Sequence, residues 1–310
     1  MNTVRLSGWR SQEGKKAYLA AYDAAMKLWP VSFESRLVAT RFGSTHVVVS
    51  GSRDLPPLVL LHAATGFGAT QWYLNAAGIT EHRRMYTVEF IGSAGRGTQT
   101  HPLLNRTDCG CWLSDVIDGL CLSRPDVAGS SQGGWLALNL ALLQPDRVGA
   151  LALLAPAGAI VPIRPLMRMF IKVGPYLPAW TGPPSIKALF GGRATVDDRI
   201  VRLLTLHLAH FRYQQRAVFP SAFPEEELRR LESSVLMLVG DQEKIYPPES
   251  TLEKAARVLP RIETELVADT GHLINMERPE FLNERLLGFL LASGKIETGA
   301  GRPDELALPP

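Results

Sequence analysis

Three runs in this 310-residue chain, LVLL at 58–61, LALL at 151–154 and VLMLV at 235–239, are apolar at every position. A strand with one solvated face alternates apolar and polar residues, so uniform runs of this length call for cover on both faces. A parallel sheet held between two layers of helices supplies that cover. Strands are expected at Thr45 to Val49, Pro57 to Leu61, Met85 to Ile91, Val127 to Gly129, Ala150 to Leu154, Val235 to Val239 and Ile262 to Val267. Helical patterns at Gly134 to Leu143, Pro248 to Val258 and Pro279 to Leu291 lie between or after them, and one at about Ser11 to Leu28 precedes the sheet. Strand and helix in alternation predict an α/β layered fold with a mostly parallel central sheet.

The rhythm breaks once. From about Ala157 to Glu226 the chain opens with Pro- and Gly-punctuated stretches (PAGAIVPIRP, VGPYLPAWTGPP) and continues into helical patterns around Ile200 to Tyr213. This segment reads as an inserted cap, with 1–156 and 227–310 as the two parts of one core. The cap carries nine Lys/Arg against four Asp/Glu, whereas the whole chain, with 33 Lys+Arg and 30 Asp+Glu, has a net charge of only +3. Neither nucleic acid nor an anionic membrane is implied as a partner by so small a balance. The first residues lack an apolar signal core, and no uncharged apolar run approaches the length of a membrane span. Cys109, Cys111 and Cys121 form no closed disulfide framework and no zinc pattern. A cytoplasmic protein is expected, and the tail after Ser293 is expected to be mobile.

Chemistry concentrates at Gly129-Ser130-Ser131-Gln132-Gly133, a G-x-S-x-G pentapeptide. Its context gives it weight: a strand reading (DVAG) precedes it and a helix reading (GGWLALNLALL) follows, as a nucleophile elbow requires. Residues two before and two after the nucleophile must lack side-chain bulk in so tight a turn, which Gly129 and Gly133 satisfy for Ser131. A serine hydroxyl is a weak nucleophile at neutral pH and needs an imidazole to take its proton and a carboxylate to orient that imidazole. Both follow in order. After the strand SSVLMLVG comes Gly240-Asp241-Gln242-Glu243, and after IETELVAD comes Thr270-Gly271-His272. Asp241 and Glu243 are both candidates for the acid.

These residues resemble the α/β-hydrolase superfamily, over most of the chain outside the N-terminal helix, cap and tail. The stretches LWPV, TRFGSTHVVVSG, GGWLALNLAL and GHLINMERPEF are similar to bacterial carboxylesterase-like members. In that family the acid commonly lies three residues after the glycine ending the strand, which favours Glu243 and leaves Asp241 as runner-up. The family's His-Gly-x-x loop has its counterpart in Leu61-His62-Ala63-Ala64-Thr65-Gly66-Phe67-Gly68, with Ala63 in place of the usual Gly. The oxyanion donors implied are the backbone N–H groups of Gln132 and of Ala64, with Ala63 as runner-up. Ser130 stands where His is frequent, and IGSAGRG (91–97) lacks the acid often found in that loop.

The resemblance implies a cofactor-independent serine hydrolase acting on a small or medium carboxylic ester through an acyl-enzyme. Carbon–carbon bond hydrolysis, lactone hydrolysis and acyl transfer use the same apparatus, and a non-catalytic ligand-binding protein is the alternative from another class. Met167, Phe170 and Trp180 in the cap are the candidates for substrate binding. His207 and His210 share a helix face, but no carboxylate or cysteine completes a metal site around them. Oligomeric state leaves no mark on the sequence.

Overall fold

The uniform apolar runs become the centre of the sheet. The computed structural model describes residues 4–64, 67–173, 196–214 and 217–299. Strands are β1 (Gly8–Trp9), β2 (Phe33–Thr40), β3 (Gly43–Ser50), β4 (Pro57–Leu61), β5 (Arg84–Val88), β6 (Thr98–Gln99), β7 (Asp126–Ser130), β8 (Leu151–Leu154), β9 (Phe211–Arg212), β10 (Val235–Gly240) and β11 (Ile262–Val267). Helices are α1 (Gln12–Met26), α2 (Ala76–Thr80), α3 (Arg106–Gly119), α4 (Gln132–Leu143), α5 (Pro165–Val173), α6 (Asp198–His210), α7 (Glu225–Leu228), α8 (Pro248–Val258), α9 (Ile274–Glu277) and α10 (Pro279–Gly299). The main sheet runs β11-β10-β8-β7-β4-β5-β3-β2, with β6 beside β3. Pairing is parallel from β11 through β5 and antiparallel for β5–β3 and β3–β2.

Two hydrophobic cores flank this sheet, as strands buried on both faces demand. One packs α1 and α10 through Tyr18, Tyr22, Leu282 and Leu286 against Leu58, Leu60 and Leu236. The other packs α3, α4 and α8 through Trp112, Leu136 and Leu252 against Val59, Val127 and Met237. Residue by residue, β4 and β10 turn alternate side chains to opposite cores, which is why neither strand tolerates a polar phase. The order of pairing places β7 between β4 and β8, at the point where the chain switches from building one way to building the other. Crevices beyond the carboxyl ends of strands at such a point are where α/β sheets hold ligands.

Several elements differ from the sequence reading. β2 was outside the expected set because it is an edge strand: Phe33 and Leu37 face solvent, so no alternation survives in FESRLVAT. α3 has Thr, Asp, Cys, Gly and Ser in a poor helix-forming sequence, yet Asn105 caps it by accepting from the Asp108 N–H at 2.9 Å. Gly110 also lets α3 close on α4, since a Cβ there would lie 2.7 Å from Leu143. The helix expected to reach Tyr213 stops at His210, because Phe211 and Arg212 leave to pair with Trp9 and Gly8. α10 continues to Gly299, so the first residues of the expected mobile tail are helical; one glycine at 294 does not end a helix docked through Leu286, Phe289 and Leu290.

Candidate active site

Four loops at the carboxyl ends of β4, β7, β10 and β11 meet in this crevice. The loop after β7 is the elbow. Ser131 takes φ +54° and ψ −114°, a left-handed conformation that costs energy for a residue with a Cβ. Backbone hydrogen bonds hold it there: its N–H donates to the Leu154 carbonyl at 2.8 Å, and its carbonyl accepts from Ala157 and Trp135. The two glycines are indispensable for space. A Cβ on Gly129 would stand 2.3 Å from the Gly133 backbone, and one on Gly133 would stand 2.4 Å from the Leu61 carbonyl oxygen. Gln132 opens α4, so its N–H has no partner within the helix and points with the helix dipole's positive end toward the crevice.

His272 Nε2 lies 2.8 Å from Ser131 Oγ, and His272 Nδ1 lies 2.5 Å from Glu243 Oε2. Burial would raise the Glu243 carboxyl, but the adjacent imidazole, its hydrogen bond and the backbone N–H groups of Ile245 and Lys244 hold it below the usual carboxylate range. An ionised Glu243 accepts only, so Nδ1 carries the imidazole proton and Nε2 is left bare to accept from the serine hydroxyl. The Glu243 side chain is fully buried and that of His272 is 20% exposed, which puts the charge inside and the reactive edge outward.

Asp241, the runner-up acid, makes no bond to His272. Its two oxygens accept from the N–H groups of Asp269 and Thr270, each at 3.0 Å, and these bonds lower its pKa. It is therefore an exposed carboxylate that also clamps the loop carrying His272. Asp269 adopts φ +53° in that loop. A second clamp, Glu277, accepts from Gly271 N at 2.8 Å and Leu273 N at 3.0 Å, on either side of His272.

In the loop after β4, Ala63 and Ala64 differ in the state of their N–H groups and in exposure. Ala63 N–H is already committed to Gln71 Oε1 at 2.6 Å, whereas Ala64 lies exposed at the crevice. His62 is buried, which lowers its pKa and keeps it neutral. Phe90 N–H donates to its Nε2 at 2.9 Å, so its Nδ1 carries the proton and donates to the Ala63 carbonyl at 2.6 Å. Gln71 and Asn275 exchange hydrogen bonds, Gln71 Nε2 to Asn275 Oδ1 at 3.1 Å and Asn275 Nδ2 to the Gln71 carbonyl at 2.8 Å, tying this loop to the segment after His272. Sequence reasoning missed Gln71, Asn275 and Glu277; the GHLINMERPEF stretch held two of them without revealing what they touch.

A buried acid just after β5 packs against the IGSAGRG loop. Glu89, fully buried, accepts from Arg96 N–H at 3.0 Å through Oε2 and faces His46 Nδ1 at 3.1 Å through Oε1. Burial opposes its ionisation, but the His46 contacts, Tyr22 and the Arg96 N–H outweigh that and lower its pKa. Gly68 and Gly95 lie close beside it: a Cβ on either would stand 2.8 Å and 2.2 Å from its carboxylate, so Glu89 would have to shift. Of the cap candidates, Met167 is half-buried on α5, while the Phe170 side chain and Trp180 lie outside the described residues. His207 is buried and bonded to Tyr213. Among the described residues no cluster of His, Cys, Asp and Glu could hold a metal ion, and no helix is long and apolar enough to cross a membrane.

A doubly covered, mostly parallel sheet with a serine, an imidazole and a carboxylate hydrogen-bonded at its switch point defines the α/β class of serine-bearing hydrolase folds. The chain belongs to the alpha/beta hydrolase family, whose profile matches residues 58–285. It is 35% identical over 294 residues to an uncharacterized carboxylesterase, nap, of Bacillus subtilis (strain 168), covering 92% of this chain and 94% of the relative. It is 32% identical over 280 residues to carboxylesterase YbfK of the same organism, covering 88% and 93%. The crystal structure of naproxen esterase (carboxylesterase NP) from Bacillus subtilis superposes with a TM-score of 0.85 at 32% identity, covering 91% of this chain and 99% of that one.

Proposed function

We propose that the protein is a carboxylic ester hydrolase working through an acyl-enzyme on Ser131. The observation that carries this reading is the continuous hydrogen-bonded line from Glu243 through His272 to Ser131, 2.5 Å and then 2.8 Å. Ser131 Oγ attacks the ester carbonyl while His272 Nε2 takes its proton, and Glu243 stabilises the imidazolium that results. The N–H groups of Gln132 and Ala64 receive the developing oxyanion. His272 then returns the proton to the leaving alcohol, and water, activated by the same imidazole, releases the acid.

The insertion at 157–226 leaves the chain after the carboxyl end of β8 and rejoins it before β10, the strand whose following loop carries Glu243, so a role as substrate-selecting cap fits its place in the chain. Met167, half-buried on α5, belongs to the wall that selects the substrate. A panel of aryl esters of increasing acyl length tests the reading. Parent enzyme should turn over the shorter members, a fluorophosphonate should label Ser131, and Ser131→Ala should abolish both. Turnover surviving Ser131→Ala would overturn the assignment. On the same panel Met167→Ala should change relative kcat/KM between acyl lengths by about 1–3 kcal/mol; an equal change for every ester would remove Met167 from the selecting wall.

A further inference from the structure

The Ala64 N–H lies in the peptide plane it shares with the Ala63 carbonyl, and the Ala64 carbonyl lies in the next plane, coupled to the first through the two backbone torsions at Ala64. The plane on one side is pinned by His62, as described above. The other is pinned by a residue more than a hundred positions away. The Tyr213 hydroxyl donates to the Ala64 carbonyl at 2.8 Å, and His207 Nε2 lies 2.8 Å from that same hydroxyl. A phenol has one proton to give. With that proton on the Ala64 carbonyl, His207 must donate from Nε2 to the phenol oxygen. His207 is buried and its pKa is pushed down to about 3, so it remains a neutral donor of fixed tautomer. Burial also raises the Tyr213 pKa, which keeps its proton in place.

The post that carries this hydroxyl is anchored independently of the crevice. Tyr213 follows β9, which pairs with β1, and Arg10 N–H donates to the His210 carbonyl at 2.8 Å. Gln214, the next residue, donates its N–H to Ser7 Oγ and accepts from Gln99 Nε2 at 2.7 Å and Leu103 N at 3.2 Å. The Tyr213 ring stands edge-on to Phe211 and to His207, with centroids 5.6 Å and 5.5 Å away. Backbone, side-chain and ring contacts therefore leave the hydroxyl little freedom.

We propose that Tyr213 is a positioning residue of the oxyanion hole, its hydroxyl fixing the Ala64 carbonyl so that the Ala64 N–H is aimed before substrate arrives. The inference rests on the reading of Ala64 as an oxyanion donor. A donor that must reorganise during the reaction gives up part of its stabilisation of the transition state, whereas substrate binding, which involves little charge on the carbonyl oxygen, is hardly affected.

Tyr213→Phe removes the hydroxyl and keeps the ring. The expected result is a kcat about ten- to thirty-fold lower with KM nearly unchanged, less than the loss of a whole donor. A trifluoromethyl ketone adds a second readout: Ser131 Oγ bonds to its carbonyl carbon, the C=O pair becomes an oxyanion, and His272 takes the serine proton. Its Ki should rise by the same factor as kcat/KM falls, while the Ki of the product carboxylic acid stays constant. Unchanged kcat and ketone affinity, with or without a lower Tm, would overturn the role and leave Tyr213 as packing. Parent enzyme that neither hydrolyses esters nor binds the ketone would overturn the esterase reading itself, and this inference with it.

Discussion

The serine and the histidine are held in place by different physics. Around Ser131 the constraint is steric and local: two glycines, a left-handed backbone and main-chain hydrogen bonds within the elbow and to β8. Around His272 it is electrostatic: Asp241 and Glu277 grip four backbone N–H groups, and Glu243 orients the ring. A steric constraint fails when atoms are added, and an electrostatic one fails when charge is removed. The two halves of the site should therefore respond to opposite kinds of substitution.

The largest expected effect is on the electrostatic half. Glu243→Gln keeps the shape and removes the charge that stabilises imidazolium, so kcat should fall by about 10³-fold while Tm changes little. Measured esterase kinetics check it; a fall no greater than that of Asp241→Asn would transfer the role to Asp241. Next comes the steric half, where Gly133→Ala drives a Cβ to 2.4 Å from the Leu61 carbonyl oxygen. Overpacking against backbone, which cannot rotate away, should cost about 3 kcal/mol in denaturant unfolding. A stable, active Gly133→Ala protein would mean that the elbow has slack and the contrast fails.

Asp241→Asn should be milder, about 1 kcal/mol of stability and a kcat loss of up to about ten-fold, because an amide oxygen still accepts one of the two N–H donors. The smallest effect sharpens the comparison through pH. Backbone hydrogen bonds from Asp269 and Thr270 lower the Asp241 pKa below its ordinary 3.8. A carboxyl depressed by folding stabilises the native state above its unfolded value and loses that contribution as pH falls through its folded value. The Tm gap between parent and Asp241→Asn should thus be full at neutral pH and close below about pH 4. The corresponding gap for Gly133→Ala, which involves no titrating group, should stay open across that range.

The same distinction explains what could be read from the sequence. The sheet, α4, α8 and the elbow are specified by neighbours in the chain: uniform apolar runs, a Pro at the start of α8, glycines two residues either side of Ser131. His272 and the pair Asp241 and Glu243 were legible because each follows a recognisable strand, and the family resemblance favoured Glu243 of the two. Gln71, Asn275 and Tyr213 were not, since an amide or a phenol carries no local sign of a partner that only the tertiary structure brings near, and Glu277 was not because its two nearby N–H partners sit in a turn that has no sequence signature. β2 and α3 escaped for a related reason, one lying at an exposed edge and the other depending on contact with α4. Glu89 was one strand end away from the loop in which an acid was sought, and only the path of the chain shows it reaching Arg96.

The exchange of hydrogen bonds between Gln71 and Asn275 closes a loop of 204 residues. During synthesis on the ribosome, the elbow has all its steric parts once Ala157 has been added, but its base and the amide that steadies the oxyanion loop belong to the last sixth of the chain. The Ser131–His272 contact spans 141 positions, so the serine and the imidazole can meet only in a chain whose longest-range contacts are already in place.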